Sequence, residues 1–257
     1  MTEDKGQDYQ WSRHAAKYDD LFLDPFQPGV ENPLFAALEA VPNARRRTAV
    51  DLGCGTGPLL PRLIGRFGTV VAIDFAPAMI ERSRERLGEE AKRITFLNRP
   101  MHELDDFPGK FDVACAINSL VMPDVRVIDQ TLRAIRTSLK PDGMLLGIVP
   151  AIDAIYYQTL LLMDQALDRG QSPEEAERLA AFYGEHRYYN FAFGRFRFRG
   201  LKQKFWQPFE IRHRLRKADF TRVELDQVLY PWDENIPGGA DFASLPRSWD
   251  WMFKAQP

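Results

Sequence analysis

Three glycines at alternate positions mark the run Asp51-Leu52-Gly53-Cys54-Gly55-Thr56-Gly57. Glycine allows a sharp backbone turn, and because it has no Cβ atom it lets a ligand approach the backbone closely. The run follows an apolar segment and precedes a predicted helix over residues 59–67, whose free N–H groups would point at the same ligand. The run therefore predicts a loop that binds a cofactor.

Two further positions indicate which cofactor the loop would take. A dinucleotide-binding loop has the spacing G-x-G-x-x-G, which requires glycine at position 58, where this sequence has Pro58. A nicotinamide cofactor is therefore disfavoured. Asp74 ends the next apolar run, where a carboxylate can accept hydrogen bonds from both hydroxyls of a ribose. Alternatively, Asp74 could cap the helix that begins near Pro77.

The surrounding segments alternate between strand and helix patterns. Short apolar runs over 48–52, 69–74, 94–97, 111–117 and 144–149 are typical of parallel strands buried on both faces. Residues 125–139 form an amphipathic pattern with helical spacing, and residues 140–143, of sequence KPDG, predict a turn before the fifth strand. Such alternation predicts an α/β fold with an open, doubly wound sheet.

The pattern changes after the fifth strand. Residues 152–167 predict a long helix, and the capping box at 172–175 begins another. A helix over 208–218 and strands over 222–229 and near 249–253 then return to the α/β pattern. We therefore expect an inserted segment between the fifth strand and the last three elements.

These motifs together resemble class I S-adenosylmethionine-dependent methyltransferases. The resemblance rests on D-x-G-x-G-x-G after a strand, an acid ending the next strand, and KPDG before a fifth strand, and it covers about residues 45–150. It implies a seven-stranded sheet in the order 3-2-1-4-5-7-6, with strand 7 antiparallel and a helical and β cap inserted after strand 5. It also implies S-adenosyl-L-methionine as cofactor and S-adenosyl-L-homocysteine as product.

The resemblance divides the chain into four parts. Lid helices would cover residues 1–44, and the S-adenosylmethionine-binding core residues 45–150. The substrate cap would occupy residues 151–205, and the C-terminal part of the core sheet residues 206–257.

The resemblance also implies cofactor-binding residues. Those near the methionine part and the ribose are Asp51, Gly53, Cys54, Gly55, Gly57 and Asp74. Asp51 would orient the amino end of the cofactor and Asp74 would bind the ribose. Asn118, after strand four, would offer its backbone carbonyl or side chain to the amino group, unless it only ends the strand in a turn.

The adenine and sulfonium ends involve other segments. Phe75 and Met79 would line one face of adenine, and Met101 and His102 the other. Many family members have an aspartate after strand three for the adenine amino group. Here Pro100 takes that position, so the backbone of Met101 or the side chain of His102 or Glu103 would substitute. Trp11 and Tyr18 could close over the sulfonium, because an aromatic face attracts a cation, or could simply pack.

The insertion contains the candidates for the methyl acceptor. His186 is the candidate base, because insertions after strand five commonly cover the acceptor site in the family; a base is needed only for an acceptor whose proton has a high pKa. Arg195, Arg197 and Arg199 alternate with phenylalanine and would share one face of a strand. They could bind a carboxylate or phosphate of the acceptor, or form the solvated face of an edge strand.

Composition narrows the class of protein. The net charge is −2 with 45% hydrophobic residues, and no long apolar segment occurs, so neither nucleic acid nor a membrane is the expected partner. The acidic start and two cysteines without ligand or disulfide spacing favour a cytoplasmic protein without a metal. A small-molecule O, N or C acceptor is favoured. The alternatives are RNA or protein methylation, or cofactor binding without turnover, and a homodimer stays open.

Overall fold

The computed structural model describes residues 11–12, 23–185, 188–190, 193–198, 201–233 and 239–257, and every structural statement concerns these residues. Their strands are β1 (Thr48–Leu52), β2 (Thr69–Asp74), β3 (Ile94–Asn98), β4 (Phe111–Ile117), β5 (Leu139–Pro150), β6 (Tyr188–Asn190), β7 (Arg195–Phe198), β8 (Leu201–Lys204), β9 (Arg222–Tyr230) and β10 (Ser248–Gln256). Their helices are α1 (Leu34–Glu39), α2 (Leu60–Arg66), α3 (Pro77–Leu87), α4 (Val125–Ser138), α5 (Ile152–Asp168), α6 (Pro173–Glu185) and α7 (Pro208–Lys217). Short 3₁₀ turns cover Ala44–Arg46, Gly88–Arg93 and Gly239–Phe242.

A seven-stranded sheet carries the glycine loop. Its order is β3-β2-β1-β4-β5-β10-β9, and β10 runs antiparallel to both β5 and β9. The predicted order 3-2-1-4-5-7-6 is confirmed, because β9 and β10 take the places of strands 6 and 7. The strands β6, β7 and β8, which lie between β5 and β9 in sequence, form a separate sheet.

Hydrophobic cores cover both faces of this sheet. Leu60 and Leu63 of α2 contribute to one core, and Ile128 and Leu132 of α4 contribute to the other. In β4 six of seven residues are buried, which explains why all of them except Asp112 are apolar. With both faces covered, the carboxyl ends of β1, β2, β4 and β5 form the accessible edge for a ligand.

Strand β5 begins earlier than its sequence predicts. The KPDG segment lies within β5, where Leu139 pairs with Phe111 and Met144 pairs with Val113. The four intervening residues lie opposite Asp112, which accepts hydrogen bonds from Thr48 N at 2.8 Å and Lys140 Nζ at 2.7 Å. Residues 140–143 therefore form a local irregularity in the pairing of β4 with β5, held by the buried carboxylate of Asp112. They do not form a separate turn before β5.

The insertion after β5 consists of α5, α6 and an antiparallel sheet in the order β6-β7-β8. Strand β7 pairs on both sides, so the alternative that the Arg/Phe segment forms an edge strand is wrong. The expected cap of helices and strands is present, and the division of the chain at residues 44, 150 and 205 stays a prediction.

Residues at the end of β8 attach the insertion to the main sheet. Lys204 N donates to Val121 O at 2.8 Å, and Trp206 N donates to Pro150 O at 2.8 Å. The Trp206 indole donates to Leu120 O at 2.8 Å. The end of β8 in the small sheet therefore lies beside the loop that follows β4. None of the described helices combines the length and apolar character needed to cross a membrane.

Candidate active site

The three glycines of the loop after β1 have left-handed backbone conformations, with φ of 68° at Gly53, 53° at Gly55 and 81° at Gly57. A Cβ atom at Gly53 would lie 2.4 Å from Ser119 Cβ, and one at Gly57 would lie 2.2 Å from Ser83 Oγ. At Gly55 a Cβ atom would meet nothing within 4 Å. Gly53 and Gly57 are therefore required by protein packing, and Gly55 is the position where the loop faces open space.

That open space is a cleft of about 530 Å³, which includes solvent at its mouth. Its floor and one wall come from Asp51 and the glycine loop, and Ile117 and Asn118 at the end of β4 form another side. The segment before α1 closes the third side, with Leu23, Asp24, Pro25 and Phe26. Parts of the chain far apart in sequence thus meet at the carboxyl edge of the sheet.

Two buried carboxyl groups, Asp51 and Asp74, lie beneath the loop. Asp74 Oδ2 accepts a hydrogen bond from Gly55 N at 2.9 Å, and Oδ1 accepts one from Ala76 N at 2.9 Å. Asp74 therefore links the glycine loop to Ala76, the residue before α3. No side-chain hydrogen bond among the described residues caps the helix itself, so the helix-capping alternative is not observed. Each carboxylate oxygen can accept a second hydrogen bond, so this role does not consume the capacity to bind hydroxyl groups.

Burial dominates the electrostatics of both acids. It raises the pKa of Asp51 to about 7, and the negative charge of Asp74 contributes in the same direction. Burial also raises the pKa of Asp74 to about 6, against the opposing effect of the hydrogen bonds from Ala76 and Gly55. No lysine or arginine in the described ranges forms an ion pair with either carboxyl group. The floor of the cleft therefore favours a cationic ligand over an anionic one.

Asn118 adds an unused hydrogen-bond acceptor to the cleft. Its backbone is left-handed, with φ of 50°, and its backbone N–H donates to Ile148 O at 2.8 Å. Its side-chain Oδ1 is buried and has no hydrogen-bond partner within the described structure. A buried polar atom without a partner is costly, so this oxygen is available for a donor on a ligand.

The opposite end of the loop leads to α3 and the segment after β3. Met79 is 2% exposed and packs with Ala76, and Trp11 contacts the same cluster. Met101 Sδ lies 3.3 Å from the position of a Cβ at Gly53. Asn98 Nδ2 and Arg99 N both donate to Asp74 O, at 2.9 and 3.1 Å, and so tie the end of β3 to the end of β2.

Comparison with known proteins agrees with this geometry. Residues 49–143 match a family described as a methyltransferase domain. The chain is 31% identical over 147 residues to the malonyl-[acyl-carrier protein] O-methyltransferase of Acetivibrio thermocellus, covering 56% of this chain and 49% of that protein. It is 34% identical over 113 residues to the ubiquinone biosynthesis O-methyltransferase of Xanthomonas campestris, covering 43% of this chain and 44% of that one. Residues 49–143 are therefore similar to a methyltransferase domain, as the sequence resemblance implies.

The fold likeness extends beyond the matched residues. The DhpI-SAM-HEP complex aligns with a TM-score of 0.57 over 100% of both chains at 15% identity, which establishes similarity of fold alone. The chain spans about half the length of the two curated relatives, 49% and 44%. The match to a methyltransferase domain agrees with the methyl donor that the sequence predicts, S-adenosylmethionine.

The cleft fits that cofactor. A positively charged amino group suits the carboxyl of Asp51 and the unpartnered Oδ1 of Asn118. The open position at Gly55 suits close approach of a ligand to the backbone. The structure thus brings Asp51, Asp74, Asn118 and the glycines together, and the individual contacts to the cofactor stay predictions.

Other predicted residues are placed differently around the cleft. Trp11 lies with Met79 on the side predicted for adenine, and Phe75 and His102 are half-buried. Cys54 is buried in the cleft wall, and burial raises the pKa of its thiol. Tyr18, His186 and Arg199 lie outside the described residues. Arg195 and Arg197 belong to β7, on the small sheet beside the loop after β4.

The sequence interpretation missed the wall formed by residues 23–26. The sequence places these residues only within the lid segment 1–44, and nothing in their spacing indicates that they pack beside the glycine loop. Pro58, Leu59 and Ile117 also line the cleft and were not predicted. Their positions next to the glycine loop and at the end of β4 are the signal that could have identified them.

Proposed function

We propose that this protein transfers a methyl group from S-adenosylmethionine to an O, N or C atom of a small molecule, by in-line displacement beneath the cap. The observation that carries the proposal is the pair of buried carboxyl groups, Asp51 and Asp74, without a described cationic partner at the floor of the cleft. S-adenosylmethionine, when bound, supplies an electrophilic methyl group on a positively charged sulfur.

The residues of this chain have distinct roles in the proposal. Asp51 and Asn118 hold the amino end of the cofactor, and Asp74 holds its ribose while it keeps the loop in place. Phe75 and Met79 on one side, with Met101 and His102 on the other, enclose the adenine. Their work is binding, orientation and exclusion of water, which are the main requirements of a displacement reaction.

The acceptor side rests on the insertion. A cap that follows β5 and attaches at Val121 and Pro150 suits enclosure of a small molecule more than docking of a macromolecule. The two curated relatives are named as O-methyltransferases of a malonyl-carrier substrate and of ubiquinone biosynthesis. His186 stays the candidate base. Two buried free thiols, Cys54 and Cys115, agree with the expected cytoplasmic location.

Calorimetric titration tests the cofactor site. We expect the protein to bind S-adenosylhomocysteine and not NAD. Asp74→Asn should weaken the binding of S-adenosylhomocysteine by roughly tenfold or more, because a charged hydrogen-bond acceptor for the ribose is lost. Asp105→Asn, on an exposed residue, is the matched control. Unchanged affinity in a folded Asp74→Asn variant would contradict the ribose assignment, and tight NAD binding without S-adenosylhomocysteine binding would contradict the cofactor.

A transfer assay tests the reaction. Tritiated S-adenosylmethionine should label a product in pools of small acids, phenols or amines. Label only in RNA or in protein would replace the small-molecule acceptor with a macromolecule. Binding of the cofactor with no labelled product in any pool would favour a protein that binds it without turnover.

A further inference from the structure

The small sheet of the insertion has a face of basic residues. In the antiparallel register Arg195 pairs with Lys204 and Arg197 pairs with Lys202, so these four positions share one face. Phe196 and Leu201 belong to the other face and are buried, at 1% and 0% exposed. The alternation therefore fixes the sheet through its apolar side and leaves four cationic positions on the opposite side. We call these four positions the basic face.

Positive charge exceeds negative charge beneath the basic face. Lys204 is 1% exposed and forms an ion pair with Glu210 at 2.7 Å. Glu210 also pairs with Arg214, and Arg214 shares Asp129 with Lys217, so three cations share two carboxylates. Burial lowers the pKa of Lys204, and the charges of Arg214 and Arg195 lower it further, which shows how closely these cations are placed.

Arg195 is a member of the basic face with unused hydrogen-bonding capacity. Its Nε is buried and has no hydrogen-bond partner in the described structure. Its guanidinium lies 5.9 Å from the centre of the Phe193 ring, which is 62% exposed. The hydrogen bonds from Arg126 and also the charge of Arg195 lower the pKa of Asp124, but Asp124 is already bound by Arg126 at 2.6 Å. An anion beside Arg195 would supply both the missing acceptor and the missing charge.

A backbone hydrogen bond connects the basic face to the loop after β4. Lys204, opposite Arg195 in the register, donates its amide to Val121 O at 2.8 Å. Val121 follows Asn118 by three residues in the loop after β4, and Asn118 lines the cleft. An anion at Arg195 would thus be held on the strand pair that attaches to the loop after β4, which begins at a residue lining the cleft.

We propose that the basic face, through Arg195, binds a carboxylate or phosphate group of the methyl acceptor. The inference rests on the proposed function, since it assigns the anionic end of the substrate of the same site. The reacting atom lies elsewhere on the acceptor, so Arg195 is a specificity-determining residue that positions the substrate.

Titration with inorganic phosphate and with acetate tests this site without the natural acceptor. We expect the wild-type protein, saturated with S-adenosylhomocysteine, to bind at least one of the two anions, and the stronger one indicates which group the acceptor carries. Arg195→Gln should weaken the binding of that anion by about fivefold or more. Arg82→Gln, which removes an exposed arginine of α3, should leave it unchanged. Equal anion binding by wild type and Arg195→Gln, or absence of binding in wild type, overturns the proposal.

A second variant shifts the affinity in the opposite direction. Asp124→Asn removes the negative charge near Arg195 and keeps a side-chain oxygen for the Arg126 amide, which Asp124 Oδ1 now binds at 2.9 Å. We expect this variant to bind the anion about twofold more tightly or better, because a competing charge is gone. A misfolded protein could not gain affinity. Weaker anion binding by Asp124→Asn would contradict the proposal.

The transfer assay separates the anion site from the proposed function. Label from S-adenosylmethionine should enter a pool of acceptors with carboxylate or phosphate groups and not a pool of their neutral esters. Label in the neutral pool alone overturns the anion site and leaves the methyltransferase function intact. Arg195→Gln should bind S-adenosylhomocysteine like wild type. Failure of the wild-type protein to bind S-adenosylhomocysteine would instead contradict the proposed function, regardless of whether the protein binds phosphate.

Discussion

Each glycine of the cofactor loop has a different physical constraint, although all three have positive φ. Gly57 has no space for a Cβ, since Ser83 Oγ of α3 is 2.2 Å from that position. Gly55 has space on the protein side and faces the cleft. The spacing of the glycines predicts the loop and its cofactor, but which neighbour each one faces depends on residues distant in sequence and could not be predicted.

Alanine substitutions should separate the two glycines. Gly57→Ala combines a left-handed conformation with a clash and should lower the free energy of unfolding by about 2–4 kcal/mol. Gly55→Ala carries only the conformational cost, about 1–2 kcal/mol, and should weaken S-adenosylhomocysteine binding at the same time. Urea denaturation and calorimetry measure the two effects. Adding Ser83→Ala should restore part of the stability of Gly57→Ala, and no restoration would contradict the packing role.

The junction between insertion and main sheet shows how elements position the site. Trp206 is 2% exposed, and its backbone and indole bind Pro150 and Leu120 respectively. The sequence predicted most elements near their observed bounds, including β4 at residues 111–117. It could not predict that β7 is central or that β5 begins at Leu139, because strand partners are set by pairing over long distances in sequence.

Trp206→Phe tests this junction. The substitution removes the indole N–H and leaves Leu120 O without its donor, with little change in apolar contact. We expect a loss of about 1–3 kcal/mol in the free energy of unfolding, the cost of a buried unpaired polar group. Urea denaturation measures it. As a control, Phe209→Leu changes a side chain that is 70% exposed and should have little effect. Equal stabilities of wild type and Trp206→Phe would show that the indole hydrogen bond does not hold the junction.

At the scale of the whole molecule, three carboxyl groups with raised pKa values lie at the carboxyl edge of the sheet. Besides Asp51 and Asp74, Asp250 of β10 lies opposite Pro150 at the end of β5. Burial raises the pKa of Asp250 to about 6, although hydrogen bonds from Tyr230 and Ala151 oppose the shift. The fold therefore carries three carboxyl groups that hold their protons more tightly than they would in the unfolded chain.

The stability of the protein without cofactor should depend on pH in a defined direction. Because the folded state retains protons that the unfolded chain releases above pH about 4, stability should fall as pH rises from about 4 to about 7. Asp51→Asn should reduce this fall and stabilise the protein at pH 8 by on the order of 2 kcal/mol. Thermal denaturation across this pH range measures both effects. A stability that rises between pH 4 and pH 7 in wild type, with no gain in Asp51→Asn, would contradict the raised pKa values.

The cofactor should reverse this trend. An ammonium group binds the ionised form of Asp51, so stabilisation by S-adenosylhomocysteine should be larger at pH 8 than at pH 5.5. Asp51→Asn should lose most of that difference. Equal stabilisation by S-adenosylhomocysteine at both pH values in the wild-type protein would show that Asp51 does not meet the amino group.

The attachment of the small sheet has a consequence for how this chain could acquire new substrates. Lys204 and Trp206 join the insertion to the main sheet through backbone hydrogen bonds to Val121 and Pro150, and backbone atoms are the same in every residue. Because Lys204 and Trp206 follow residue 203, a different segment before them could leave these two bonds and the cofactor loop unchanged. Evolution or an engineer could therefore exchange residues 153–203 as a cassette, retaining the methyl donor while replacing the molecule that receives the methyl group.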